Sequence, residues 1–284
     1  MSLTEITAGD FRVRGRSLGG FYTGLHVPEL RSLMDVGTAL RTGAAAPNLF
    51  LSHAHADHLG ALPALLGMRA LTGVTSPLRV YLPSELVAPL EEMLAVFSTM
   101  HRWPMVVDMV PMQPGDVQLM HGNLCVRAIR TFHPVPSLGY VFFRKIKKLK
   151  PEFLSLPGPE IGIRRKRGDD IFTTHESREF AYVTDTLPDI LDHHPELMTV
   201  DTLVMECTFL DEKKSVKDAR AGCHIHLDEL LPYIPRFQNK AVVLMHFSQI
   251  YSPRDIETIF TARCPREYRD RFHLFVPIGD AWWD

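Results

Sequence analysis

The sequence predicts an α/β fold of two mixed β-sheets packed face to face with helices on the outer faces, and three observations lead there. The first third is dense in short β-favouring runs, the last third alternates strand with helix, and the chain is large enough to bury a core between such layers. Its 284 residues are 45% hydrophobic and 23% charged, which excludes disorder, collagen and fibrous repeats. No internal repeat and no Gly/Ser- or Pro-rich linker marks a joint, so one domain over residues 1–284 is expected. The formal net charge is −2, so a polyanionic partner would have to be held by a local patch.

The elements follow in order. Phe11 to Leu18, Phe21 to Val27, Arg31 to Asp35 and Asn48 to Ser52 read as strands separated by Gly, Pro and Ala. Apolar spacing predicts helices over Asp57 to Leu71 and Glu85 to Phe97, with a strand at Leu78 to Leu82 between them. Strands return at Val106 to Met112, Asp116 to Met120, Leu124 to Phe132 and Gly139 to Phe143. After a basic interlude, strands at Glu179 to Thr184, Thr202 to Glu206, Ala241 to His246 and Phe272 to Ile278 alternate with helices at Ile190 to Met198, His226 to Phe237 and Pro253 to Cys264. Ser252, Pro253 and Asp255 form a helix-start signal: cap, first-turn proline, acid at the third position. Such layering sets strand ends and their loops along one edge.

Cys125, Cys207, Cys223 and Cys264 are far apart and form no CxxC pair, as expected of free thiols in a reducing compartment. The first residues lack a basic and then apolar leader, and the most apolar run, Leu59 to Met68, is too short to span a bilayer. A soluble, cytoplasmic protein is expected.

The chemistry concentrates in Ser52-His-Ala-His-Ala-Asp-His-Leu-Gly60, directly after the apolar run Leu49 to Leu51. His53, His55, Asp57 and His58 place three imidazoles and a carboxylate within six positions, a donor set suited to zinc, and Ala54 and Ala56 leave the loop room to fold round an ion. His133, Asp185 and His246 each follow a later strand. Singly, each reads as a satisfied polar group at a strand end rather than a ligand; with the first cluster the reading reverses and they become candidate ligands.

This order, HxHxDH, a lone His, a strand ending in Asp and a strand ending in His, resembles the metallo-β-lactamase superfamily over nearly the whole chain. The resemblance implies a four-layer αββα sandwich with a dinuclear zinc site on its edge. It implies one zinc on His53, His55 and His133, the other on Asp57, His58 and His246, with Asp185 bridging, giving two Zn2+ per chain. Iron or manganese would be accepted by the same ligands. Asp35 resembles the family's early Asp that orients the histidine loop, and is also readable as a turn residue before Gly37.

Three further stretches narrow the likeness: Val204 to Asp211, Ala221 to Glu229 and His246 to Tyr251 are similar to the closing segments of ribonuclease Z, nearest its short plant form. That resemblance implies an endoribonuclease that removes the 3′ trailer from precursor tRNA, leaving a 3′-hydroxyl and a 5′-phosphorylated trailer. Its candidate catalytic residues are Asp57, to take a proton from water, and His224 held by Glu206, to protonate the leaving oxygen. Without the likeness, Glu206 reads as a partner of a surface Lys and His224 as a helix cap. His226 fits a helix start or a tRNA-facing role. Cys223 stands where the family usually has Gly.

Residues 141–170 hold nine Lys and Arg against four acids, a charge of +5 that leaves −7 for the rest of the chain. Such a run reads as a solvated face or, at about 141–172, as the basic substrate-gripping insertion of this family, binding phosphates. The resemblance also implies a homodimer in which one subunit's arm serves the other's site; the residues themselves are silent on oligomeric state. Another hydrolase on the same fold, acting on a small phosphodiester, thioester or lactone, is the alternative, and a metal-stabilised RNA-binding scaffold without catalysis is the non-enzymatic one.

Overall fold

The structure is a computed structural model that describes residues 3–279 and 281–282. Its strands form two sheets, one from each half of the chain. The first contains β1 (Thr4–Ala8), β2 (Phe11–Leu18), β3 (Tyr22–Val27), β4 (Ser32–Met34), β5 (Asn48–Phe50), β6 (Leu78–Pro83) and β7 (Val107–Met112), side by side in chain order. The second contains β8 (Val117–Leu119), β9 (Leu124–Arg130), β10 (Leu138–Leu149), β11 (Phe172–Val183), β12 (Thr202–Glu206), β13 (Ala241–Met245) and β14 (Phe272–Leu274), also in order. In both sheets the first three pairings are antiparallel and the last three parallel. The two halves therefore repeat one topology that no sequence repeat announces.

Parallel neighbours need crossovers, and these supply the outer layers. On the first sheet they carry α1 (Ala56–Leu59), α2 (Leu62–Leu71) and α3 (Val87–His101); α4 (Gly158–Arg167) lies in the β10–β11 connection; on the second sheet they carry α5 (Ile190–His193), α6 (Val216–Ala221), α7 (Leu227–Leu230) and α8 (Pro253–Arg263). The period of two along each strand divides the core. Met34, Phe50 and Tyr81 pack between the sheets with Tyr140, Phe142, Phe180 and Tyr182, whereas Leu49, Leu51, Val80 and Leu82 face outward onto Leu62, Leu65, Leu66, Leu90 and Leu94. Leu203, Val242 and Leu244 pack outward against Leu227, Leu230, Ile256 and Phe260 in the same way. Four layers, αββα, result.

Several expected elements are altered, each for a local reason. The helix expected over Asp57 to Leu71 is two helices with Gly60 and Ala61 at the break and Pro63 in the first turn of α2, a position where its missing N–H costs nothing. Pro195 ends α5 and starts a 3-10 turn, Pro195–Met198. Pro232 and Pro235 likewise confine α7 to one turn followed by a 3-10 helix, Leu231–Arg236. The start of α8 forms as expected, Ser252 Oγ accepting from Asp255 N at 3.1 Å and Asp255 Oδ2 accepting from Ser252 N at 3.1 Å.

The basic interlude is no loop. β10 and β11 run on for twelve residues each and stay paired from Tyr140↔Tyr182 to Leu149↔Phe172. Beyond Arg144 no third strand among the described residues accompanies them, burial gives way to exposure, and α4 sits at the tip. Its last turn carries Arg164, Arg165, Lys166 and Arg167, the favourable end of the helix dipole for cations.

Candidate active site

The edge formed by the carboxyl ends of the parallel strands holds every candidate site residue, which is where α/β sheets offer loops to ligands. Asp35 follows β4, His53 to His58 follow β5, Asp185 follows β11, Glu206 ends β12 and His246 follows β13; His133 arrives from the end of the antiparallel β9. Asp35, Asp185 and His246 are in the left-handed region (φ 55, 44 and 61), an uncommon conformation for side-chain-bearing residues that turns each chain sharply at its strand end.

The seven candidate ligands form two groups. In the first, His53 Nε2 is 3.1 Å from His55 Nδ1, His133 Nε2 is 3.2 Å from the same atom, and Asp185 Oδ2 is 3.6 Å from His53 Nε2 and 4.0 Å from His133 Nε2. In the second, Asp57 Oδ2 is 3.4 Å from His58 Nε2 and 3.5 Å from His246 Nε2, and those two nitrogens are 3.3 Å apart. Asp185 Oδ1 is 3.4 Å from both of the latter rings, so its two oxygens address different groups.

These separations fit divalent cations. Donors arranged tetrahedrally at ~2.0–2.1 Å from zinc are ~3.3 Å apart. The outward hydrogen bonds also fix which ring atoms face in. Ser52 Oγ donates to Asp35 Oδ2 and therefore accepts from His53 Nδ1 (3.0 Å); Thr208 Oγ1 donates to Glu206 Oε2 and therefore accepts from His246 Nδ1 (3.1 Å); Asp35 accepts from His58 Nδ1 (2.7 Å). Each ring thus presents Nε2 to the interior, the arrangement that orients imidazole ligands. The donors of the cluster could hold divalent metal ions.

Its electrostatics point the same way. Burial, followed by the neighbouring histidines, pushes His53 down to about 2 and His133 to about 4, which keeps both neutral at physiological pH. Burial opposes charge on His58, yet Asp185 and Asp35 drive it well above its ordinary value. Burial alone would raise Asp57 and Asp185, but the surrounding histidines hold both carboxyls well below the usual range. A cation entering between them displaces protons rather than adding uncompensated charge.

Gly37 allows the histidine loop to close. A Cβ there would be 1.7 Å from Asp57 O and 2.8 Å from Thr23 N, beside the bond from Val36 N to His58 O at 2.6 Å. We expect Gly37→Ala to push α1 off the loop, costing at least ~1–3 kcal/mol as an overpacked site and lowering metal content. Thermal melting together with metal analysis checks this; a variant with both unchanged rules the close approach unimportant.

Glu206, fully buried, accepts from Thr186 N (2.7 Å), Ile225 N (3.1 Å) and Thr208 Oγ1 (2.6 Å), and its Oε1 lies 3.2 Å from His224 Nδ1. Burial opposes protonation of His224, but Glu206 and Asp185 raise it to about 9. Among the described residues no Lys engages Glu206 and His224 caps no helix. The cap of α7 is His226, whose Nδ1 accepts from Asp228 N at 3.1 Å while its Nε2 donates to Asp211 O at 3.1 Å. His226 is buried in the wall of a second pocket, which it lines with Asp211, Asp228 and Arg263 rather than with the candidate ligands.

Asp35, expected either to orient the loop or to form a turn, does both. Its carboxylate accepts from Ser52 N and Ser52 Oγ, each at 2.7 Å, from His58 Nδ1 and from Tyr182 Oη at 2.6 Å. Tyr182 and Thr208 are site residues that the sequence reading missed. Tyr182 is one apolar-looking position within a strand, and only the packing of one sheet on the other brings it to Asp35.

Comparison with known proteins agrees with this geometry. A sequence profile described as a beta-lactamase superfamily domain matches residues 27–247. A tRNase Z of Arabidopsis thaliana, TRZ1, is 32% identical over 257 residues, covering 90% of this chain and 91% of the relative. Among solved structures, the short form of human tRNase Z superposes with a TM-score of 0.57 at 17% identity over 94% of this chain and 95% of that one. The metallo-beta-lactamase fold protein YhfI of Bacillus subtilis does so at 0.61 and 14% identity over 99% of each. By fold, by the order of its site residues and by these likenesses, the chain belongs to the beta-lactamase superfamily and, within it, to the tRNase Z family.

Proposed function

We propose that this protein is a metal-dependent endoribonuclease that removes the 3′ trailer from precursor tRNA, leaving a 3′-hydroxyl on the tRNA and a 5′-phosphate on the trailer. The observation that carries this is the pairing of the two donor groups with a carboxylate-held His224 that lies beside them, within 4.8 Å of Asp185 and His246, its ring centroid 5.3 Å from that of His246 and 6.0 Å from that of His133. Hydrolysis of a phosphodiester needs what such a pair of features offers: charge neutralisation on one side and a proton for the leaving ribose oxygen on the other. The relatives named tRNase Z support the substrate class.

His53, His55 and His133 would hold one cation, Asp57, His58 and His246 the other, with Asp185 shared; zinc is the metal we assign, two per chain. When bound, the pair supplies Lewis-acid polarisation of the phosphoryl oxygens and acidifies the attacking water from ~15.7 toward ~7. Asp57, whose Oδ2 is fixed by Gly20 N at 3.0 Å, would take the proton that the attacking water gives up. Glu206 holds His224 so that its Nε2 delivers a proton to the leaving 3′-oxygen. Asp35 and Thr208 touch no substrate; they position imidazoles.

We read the whole chain as one domain with the β10–α4–β11 ribbon as a tRNA-gripping arm. Lys145, Lys147, Lys148, Arg165, Lys166 and Arg167 make no ion pair among the described residues, unlike Lys150 and Arg164, which pair with Asp170 and Glu160. Free cations on an exposed ribbon suit phosphates. Among the described residues no helix is long and apolar enough to cross a membrane. The four cysteines are free, which supports a reducing, cytoplasmic setting.

The deciding experiment incubates metal-loaded protein with a 3′-extended precursor tRNA and maps both new ends. A single cut at the trailer junction is expected; fast hydrolysis of a small phosphodiester, thioester or lactone without that cut overturns the reading. The arm adds a salt test. Replacing Arg165, Lys166 and Arg167 with Ala together should raise KM for precursor tRNA about tenfold or more and flatten the slope of log(kcat/KM) against log[salt] by ~1 per lost phosphate contact. An unchanged slope removes the arm from the tRNA interface.

A further inference from the structure

A cavity of about 630 Å³ borders the reaction centre on the side of His133. His133, assigned above to a cation, and Cys223, the neighbour of His224, both line it, and its other walls include Phe132, Val135, Leu187 and Arg130. We propose that this cavity seats the base of the nucleoside on the 5′ side of the cut, the one whose 3′-oxygen receives the proton from His224. This rests on the nuclease reading and extends it to a specificity pocket.

Position argues first. The leaving oxygen must come within hydrogen-bond reach of His224, and the base is attached to the same ribose, so it must lie a few ångströms to one side. The cavity does: one peptide bond joins Cys223 to His224, and the His133 and His224 ring centroids are 6.0 Å apart. Size argues second, since 630 Å³ falls within the ~300–1,000 Å³ of pockets that enclose small-molecule groups.

Chemistry argues third. A base is recognised by packing its face against rings and apolar side chains while its edge meets donors. Phe132, Val135 and Leu187 are half-buried and offer the faces. Arg130, exposed at the end of β9, offers the donors, and among the described residues its side chain forms no hydrogen bond or ion pair. Cys223 lies at φ 56, where glycine is the relaxed residue, so its side chain is carried at a backbone cost. A thiol in the wall of a pocket gives that side chain a use which the turn alone does not.

The test compares two precursor tRNAs, one intact and one carrying an abasic ribose immediately 5′ of the cut, under single-turnover conditions. With wild-type protein the abasic substrate should be cleaved about tenfold more slowly, the scale of losing one stacked base. Val135→Trp, which fills the cavity, should slow the intact substrate by a similar factor and add nothing for the abasic one. Arg130→Ala, at an exposed position, should slow only the intact substrate, by about threefold to tenfold. A merely structural defect would slow both substrates alike, and that result overturns the proposal, as does equal cleavage of both by wild type. Wild-type protein that cuts neither tRNA but hydrolyses bis(p-nitrophenyl) phosphate refutes the nuclease reading itself, and the pocket assignment falls with it.

Discussion

His224→Ala should keep its metal and lose about 10²–10⁴-fold in kcat on precursor tRNA, whereas Asp57→Ala should lose both metal and turnover. The difference follows from position. Asp57 Oδ2 lies between the Nε2 atoms of His58 and His246, at 3.4 and 3.5 Å, so removing it opens one donor group. His224 is tied to Glu206 instead, and Glu206 is held by two backbone amides and Thr208, none of which belongs to the donor groups. The leaving group makes the assignment sharper. A ribose 3′-oxygen departs poorly unless protonated, but p-nitrophenolate departs as a stable anion and needs no acid. His224→Ala should therefore hydrolyse bis(p-nitrophenyl) phosphate within a few-fold of wild type while failing on tRNA. Metal analysis and the two turnover assays check this. Equal metal loss in both variants, or equal loss on both substrates in His224→Ala, refutes the division of labour.

The sequence makes the ligand cluster legible because its first four members are local. His53 to His58 occupy one loop, and each later member directly ends or follows a strand whose apolar run is plain, such as Ala241 to Met245 before His246. Alternation and punctuation also expose most strands of both sheets. What stays hidden depends on contacts between distant positions. Tyr182 reaches Asp35 across 147 residues, and Thr208 reaches His246 across 38. Neither spacing has a period. The ribbon escapes for another reason: Lys145 to Lys148 and Thr174 to Glu176 point both faces of a two-stranded ladder at water, so no apolar alternation survives to mark them as strands. Thr4–Ala8 is short and flanks the start of the chain, with only Ile6 and Ala8 to signal it. Broken helices are misjudged because apolar spacing continues through Pro195, Pro232 and Pro235 where the backbone cannot.

The repeated topology explains why the site lies where it does. In each half, three antiparallel pairings bring the chain to a run of parallel strands, and parallel strands all deliver their carboxyl ends to one edge. Packing the halves face to face sets the loops after β4 and β5 opposite those after β11, β12 and β13. Asp185 stands at that seam, facing candidate ligands from both halves: His53 and His58 from one, His246 from the other. A cation pair there would tie the two sheets together, so metal binding would contribute to folding as well as to chemistry.

Asp35 should prove the residue on which that seam most depends outside the ligands themselves. Four donors converge on one fully buried carboxylate, from the backbone and hydroxyl of Ser52, from His58 and from Tyr182 of the opposite sheet. Asp35→Ala strands all four and places a residue without a polar side chain at φ 55, where Asp and Asn are tolerated best. The expected cost is about 3–5 kcal/mol of stability, as for breaking a buried pair, with metal affinity weakened ~10–100-fold because His58 loses its orienting partner. Asp35→Asn separates the two effects. It keeps the shape and the backbone preference, but its amide nitrogen must face a donor whichever way it turns, so it too should lose metal affinity while costing less stability than Ala. Tyr182→Phe removes a single donor and leaves the carboxylate satisfied by the other three; about 1 kcal/mol and nearly unchanged metal binding are expected. Chemical denaturation and metal titration of the three variants give the ranking Ala, Asn, Phe in both quantities. If Asp35→Asn binds metal as tightly as wild type, orientation of His58 by Asp35 contributes nothing, and the ligand loop is held by the turn around Gly37 alone.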